Sequence, residues 1–123
     1  MTRVLIDTCG WIAVVDAGIN VDIAMRDVVG SFEPVVLTRV LEELRRVQEN
    51  RSSPLLLDLL MDRAEVIDGP VEASHPDDQL VILGMSEGWP TLTVDKGLKQ
   101  RLAEIGAPFV EVVSNSALRL VEV

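Results

Sequence analysis

Short apolar, β-branched runs separated by helical stretches of about ten residues constrain this chain more than any other feature. Residues 3–7 (RVLID), 34–38 (PVVLT), 91–94 (TLTV) and 109–113 (FVEVV) each read as a strand with little polar alternation. Strands of that kind belong in a parallel sheet covered on both faces. Helical patterns fill the intervals. They are expected over 11–15, over 21–29 ended by Gly30, and over 39–50 with Thr38 as N-cap. A further helix is expected to start at Ser52 or Ser53, with Pro54 in its first turn and 55–61 along it. Two more are expected over 76–87 and 96–105, closed by Gly88 and Gly106. Residues 65–67 form a short strand ended by the Asp68-Gly69-Pro70 turn, and the tail, 116–123, adds a helical turn or a strand. The expected fold is α/β: a three-layer α/β/α sandwich around a central, mostly parallel sheet of about five strands, with right-handed crossovers. Residues 1–123 are read as one domain.

At 123 residues the chain is long enough for one real core, which must be built from Val, Leu, Ile and Ala because aromatics make up only 3% of it. No apolar run approaches the length of a membrane span, and the first apolar run reaches Asp7 after three residues, unlike a secretory signal. One cysteine, Cys9, rules out an intramolecular disulfide framework. These features are those of a soluble cytoplasmic protein with no membrane partner. The net charge of −9 opposes phosphate binding by bulk electrostatics. The same total accommodates a cluster of carboxylates that a divalent cation would neutralise.

Ligands of open α/β sheets bind at the carboxyl ends of strands, beside the point where strand order reverses. Asp7 ends the first strand, Asp95 follows the TLTV strand, and Asp77 and Asp78 open a helix at the same rim. On the 39–50 helix, Glu42 lies opposite the apolar stripe of Val40, Leu41, Leu44 and Val47, whereas Glu43 lies roughly 85° from it and can look inward. Each acid also has a plain structural role. Ser74 and Asp77 make a capping box, Asp78 suits a positive helix end, Asp95 is an N-cap and Asp7 a turn residue. Together on one rim they repel one another, a cost that a bound cation relieves. Oxygen ligands without His or Cys clusters suit Mg²⁺ or Mn²⁺, which activate water and clamp phosphate.

The ordered segments VLIDTCGWI, TRVLEELRRV, HPDDQLVILG and TLTVDKGLKQRLAEIGAPFVEV resemble PIN-domain proteins over residues 3–113. The likeness is to the small group related to ribosomal-RNA-processing PIN nucleases, with VapC-type toxins more distant. Asp7-Thr8, Glu43-Leu44, Asp77-Asp78 and Thr93-x-Asp95-x-x-Leu98 carry it, followed by a basic helix and the Gly106-x-Pro108 turn. Cys9 stands where the family has Asn or Ser. The resemblance implies a Mg²⁺- or Mn²⁺-dependent nuclease of single-stranded RNA. Asp7, Asp78 and Asp95 would hold metal directly, and Glu43 would hold metal or orient water. Asp77 would be a support or second ligand, mainly capping its helix while Asp78 faces the metal. Thr8 and Thr93 would support the acids or a phosphate oxygen, and Lys96, Lys99 and Arg45 would contact phosphates.

Two other readings stand beside this one. A catalytically degenerate PIN fold would serve as a binding or assembly module. A phosphatase-like enzyme would use Asp7 as nucleophile, but that chemistry wants an acid two residues later, where Cys9 stands. His75 lacks partners for metal binding, and Trp11 and Trp89 read as packing residues. The apolar helices at 21–29 and 55–61 exceed what one small sheet must bury, so a homodimer is expected. A toxin role would imply an antitoxin partner, and an RNA-processing role a ribosome-assembly partner.

Overall fold

Consecutive strand residues point to opposite sheet faces, so a strand whose neighbours are all buried must be covered on both sides. Val4, Leu5 and Ile6 are each fully buried, as are Val35, Val36 and Leu37. The computed structural model, which describes residues 1–114 and 116–122, accordingly has helices on both faces of one sheet.

Among the described residues the elements run β1 (Thr2–Ile6), α1 (Thr8–Asp16), α2 (Val21–Val29), β2 (Phe32–Leu37), α3 (Thr38–Glu49) and α4 (Leu57–Arg63). They continue with β3 (Glu65–Ile67), α5 (Pro76–Glu87), β4 (Thr91–Leu92), α6 (Lys96–Glu104), β5 (Phe109–Val113) and β6 (Ala117–Val121). The sheet order is β3-β2-β1-β4-β5-β6, all neighbours parallel except the β5–β6 pair. From β1 the chain builds outward through β2 to β3, then returns to lay β4 on the other side of β1. The reversal sits between β1 and β4, where Ile6 pairs with Leu92. A crevice at that point is the place for a ligand.

Several local expectations change. The sheet has six strands rather than about five, because the tail pairs antiparallel with β5 from Val113↔Ala117 to Phe109↔Val121; Val123, within the expected tail element, lies outside the described residues. Glu111, central on β5, takes Lys99 of α6 and Arg119 of β6 as ion partners, and these hold its carboxyl below the usual glutamate range. β2 runs straight into α3, so Leu37 occupies the N-cap position without a side-chain bond and Thr38 is already helical.

The fourth helix starts at Leu57, not at Ser52 or Ser53. Leu55 is pinned first: its N–H donates to Gln48 Oε1 at 2.6 Å and its carbonyl accepts from the Trp11 indole at 2.7 Å. The carbonyl is one that a helix starting at Ser52 or Ser53 would use, and Leu56 then takes a left-handed φ of 56° before the helix begins. Trp11 is 6% exposed and does pack in the core, as expected. Trp11→Phe removes the indole bond to the Leu55 carbonyl and is expected to cost about 1–3 kcal/mol in urea unfolding. Trp89 lies beneath the Arg3 guanidinium, 4.5 Å from ring centre to carbon.

Candidate active site

Asp7 leaves β1 at the strand reversal and immediately caps α1. Its Oδ1 accepts from the Thr8 N–H at 2.8 Å, while its own N–H donates to Leu92 O at 3.0 Å, extending the ladder with β4. Oδ2 accepts from the Thr93 hydroxyl at 2.8 Å and from the Cys9 thiol at 3.1 Å. Thr93, fully buried just beyond β4, in turn accepts from the Asp95 N–H at 3.1 Å. Asp95 caps α6 through Oδ1 to Leu98 N–H at 2.8 Å. One threonine thus joins the acid after β1 to the acid after β4.

Glu43 comes from α3. The apolar residues Val40, Leu41 and Leu44 turn inward, and Glu43, beside that stripe, accepts from the Thr8 hydroxyl at 2.7 Å. Thr8 therefore bridges α1 and α3. Glu42 remains at the surface with Arg39.

At the start of α5 the helix cap differs from the expected one, and the two aspartates have different surroundings. His75, not Ser74, caps the helix: its Nδ1 accepts from the Asp77 N–H at 3.1 Å. Asp77 shares a face with Leu80 and Gly84, at i+3 and i+7, both buried. Burial raises its pKa first, and the charges of Asp7, Asp95 and Glu43 add to that rise against the lowering effect of His75. Asp78 is one step round the helix, on the side of exposed Met85, and pairs with Arg101 of α6 at 2.7 Å. Of the pair, Asp77 is the one on which the charges of Asp7, Asp95 and Glu43 act.

The basic candidates also divide. Arg45 lies on the far side of α3 from Glu43 and leans on Met61 Sδ at 3.5 Å. Lys99 is committed to Glu111 at 3.0 Å. Lys96 is exposed at the first turn of α6, beside Asp95.

The Cys9 thiol fills the position that the resemblance assigns to Asn or Ser and keeps a hydrogen bond to Asp7. Burial, and then the Asp7 charge, push its pKa up to about 11, so at neutral pH it is a protonated donor. Asp7 itself is 5% exposed. Burial lifts its pKa, with the Glu43 charge adding to the rise, against the bonds from Cys9, Thr93 and Thr8.

Among the described residues, the ion pairs formed by Lys and Arg go to other acids, Asp78 included; none reaches Asp7, Glu43, Asp77 or Asp95. These four carboxylates, from four segments, therefore have no ion-pair partner among the described residues. Among the described residues, no three His, Cys, Asp or Glu side chains converge into a ready metal cage. That openness still fits Mg²⁺, which keeps several waters and takes only one or two carboxylates plus substrate phosphate.

Residues 4–114 match the family model described as PIN like domain. The chain belongs to the PIN-like domain family. This is a nuclease-type family. Among solved structures, that of the PIN domain endonuclease Utp24 superposes on this PIN-like chain with a TM-score of 0.80 at 22% identity, covering 98% of this chain and 92% of that one. The likeness carries the fold. A comparison with curated proteins finds no match.

The raised carboxyls make a pH prediction for this PIN-like protein. A folded pKa above the unfolded one means that the folded chain binds those protons more tightly. Stability contributed by Asp7 and Asp77 therefore rises as pH falls from neutral toward the ordinary carboxylate value of 3.8. Glu111, lowered from 4.5, works the other way, but in a window below that value. In EDTA, Tm is expected to be higher at about pH 5 than at about pH 8, and Mn²⁺ to raise the second more than the first. A flat profile in EDTA would count against the unneutralised cluster.

Proposed function

We propose that this PIN-like protein is a divalent-metal-dependent endoribonuclease that hydrolyses phosphodiester bonds of single-stranded RNA. One observation carries the reading: the charges of Asp7, Glu43 and Asp95 all act on Asp77 near the strand reversal, and among the described residues no Lys or Arg forms an ion pair with any of the four. A bound Mg²⁺ or Mn²⁺ would stabilise charge on the phosphate and lower the pKa of a water. Asp7, Asp77 and Asp95 are the candidates from which the one or two direct carboxylate ligands would come. Glu43, oriented by Thr8, holds it or positions the attacking water. Thr93 and Cys9 fix the orientation of the Asp7 carboxylate. Lys96 is the basic residue best placed to meet the strand near Asp95.

The exposed apolar side chains Ile23 of α2 and Leu59 of α4, 62% and 53% accessible, support self-association through those helices. Light scattering across micromolar concentrations tests this, and a monomer mass throughout would exclude it.

The nuclease reading is tested with end-labelled single-stranded RNA in Mn²⁺, Mg²⁺ or EDTA, comparing the wild type with Asp7→Asn. Internal cleavage that needs metal and is lost in the variant is the expected result. A folded wild type that cuts no RNA in either metal would favour a non-catalytic binding module instead.

A further inference from the structure

We propose that a cleft next to Glu43 binds a backbone phosphate of the RNA strand, beside the scissile position, through Arg39 and Arg46. The inference rests on the ribonuclease reading and extends it to a substrate subsite. The cleft has a volume of about 380 Å³, within the range of small-ligand sites. Arg39, Glu42, Glu43 and Arg46 of α3 form one wall, and Ser74 and His75, at the start of α5, form the other.

Helical spacing explains the first wall. Residues 39, 43 and 46 are i, i+4 and i+7, so two guanidiniums flank the carboxylate on one face. Glu43 is bonded to Thr8, next to Asp7, and Asp77 follows His75 by two residues. Glu43 therefore links the cleft to the other acids on one wall, and Asp77 lies one residue beyond Pro76 of the other.

Its cations are available. Arg46 forms no ion pair among the described residues, and Arg39 has only a 3.8 Å contact with Glu42 between half-exposed side chains. Such a contact is worth little and can give way to a phosphate. His75 supplies a donor on the facing wall. Because Nδ1 accepts from the Asp77 N–H, the neutral ring carries its proton on Nε2. The adjoining cleft also contains Arg46, but its Arg51 is committed to Asp16 at 2.7 Å and to Ser53, so the subsite ends at Arg46.

Glu42 and Glu43 offset the two arginines, so the cleft does not gather anions by net charge. Recognition depends on directed guanidinium–phosphate hydrogen bonds. That favours a phosphate tethered in a strand already held at the acids over a free one.

The test is single-turnover cleavage of labelled single-stranded RNA in Mn²⁺, with protein concentration and KCl varied, for the wild type and Arg39→Ala/Arg46→Ala. The double variant is expected to need about tenfold more protein for half-saturation, with a salt slope smaller by about 1.4, from two contacts at about 0.7 each. Its maximal rate should change by no more than a few fold. Arg39→Lys/Arg46→Lys should restore the slope, and Arg26→Ala, which removes a charge on α2, should leave both quantities unchanged. Unchanged half-saturation and slope in a double variant that melts like the wild type would overturn the subsite while leaving the nuclease reading intact. A wild type that cuts nothing would remove both.

Discussion

Asp77→Asn is expected to lower metal-dependent RNA cleavage roughly a hundredfold or more, while Asp78→Asn stays within a few fold of wild type. The two residues are adjacent and chemically identical, so the difference is one of direction. Asp77 lies on the inward face of α5 with Leu80 and Gly84, close enough to Asp7, Asp95 and Glu43 for their charges to raise its pKa. Asp78 is half exposed and already neutralised by Arg101. Removing Asp77 takes away a candidate metal ligand and relieves repulsion. The same variant should therefore melt higher than wild type in EDTA at neutral pH, which a merely destabilising change would not produce. Single-turnover rates at saturating Mn²⁺ decide the ranking. The opposite order would return the metal-facing role to Asp78.

Gly10→Ala is expected to destabilise the fold and to disturb the site with it. A Cβ at Gly10 would stand 2.3 Å from Leu92 O and 2.7 Å from Leu92 C, both backbone atoms of β4. Neither can swing aside, so α1 must move off the sheet. Overpacking of this kind costs about 1–3 kcal/mol, to be read as a lower urea midpoint. The displacement starts three residues after Asp7, and it would loosen the bonds from Thr93 to Asp7 and from Thr8 to Glu43. Activity should therefore fall at temperatures where the variant is still folded. Gly84→Ala is the informative contrast. Its Cβ would meet only the side chains of Leu102 and Ala107, at 3.2 and 3.3 Å. Alanine also favours the helix by up to about 1 kcal/mol, so that change should be nearly neutral. Equal losses in the two variants would show that the approach of α1 to β4 is not a special constraint.

These two expectations differ in how far the amino-acid order could have suggested them. The alternation of apolar strands and helices is local in sequence, and it dictates the layered α/β architecture before any contact is known. The same pattern places Asp7 and Asp95 at the carboxyl edge, because each directly follows a strand. On α3 the apolar stripe phases the helix, so Glu43 can be told from Glu42 by angle alone. α5 offers no such guide. Leu80, Val81, Ile82 and Leu83 are apolar through a full turn, which leaves Asp77 and Asp78 indistinguishable until the helix is packed. Gly10 reads as a poor helix residue in sequence, and only the approach of β4 gives it a reason.

The chain by itself determined the class of fold and the strand edge at which Asp7 and Asp95 stand, because each follows from periodicity within a short window. Tertiary structure decided the rest: which aspartate of α5 turns inward, why residues 51–56 stay out of a helix, that the tail becomes a sixth strand, and which arginines stand beside Glu43. Each depends on contacts between segments distant in sequence. No local pattern encodes a helix's rotation when its apolar residues encircle it, or a loop whose backbone bonds to Gln48 and Trp11.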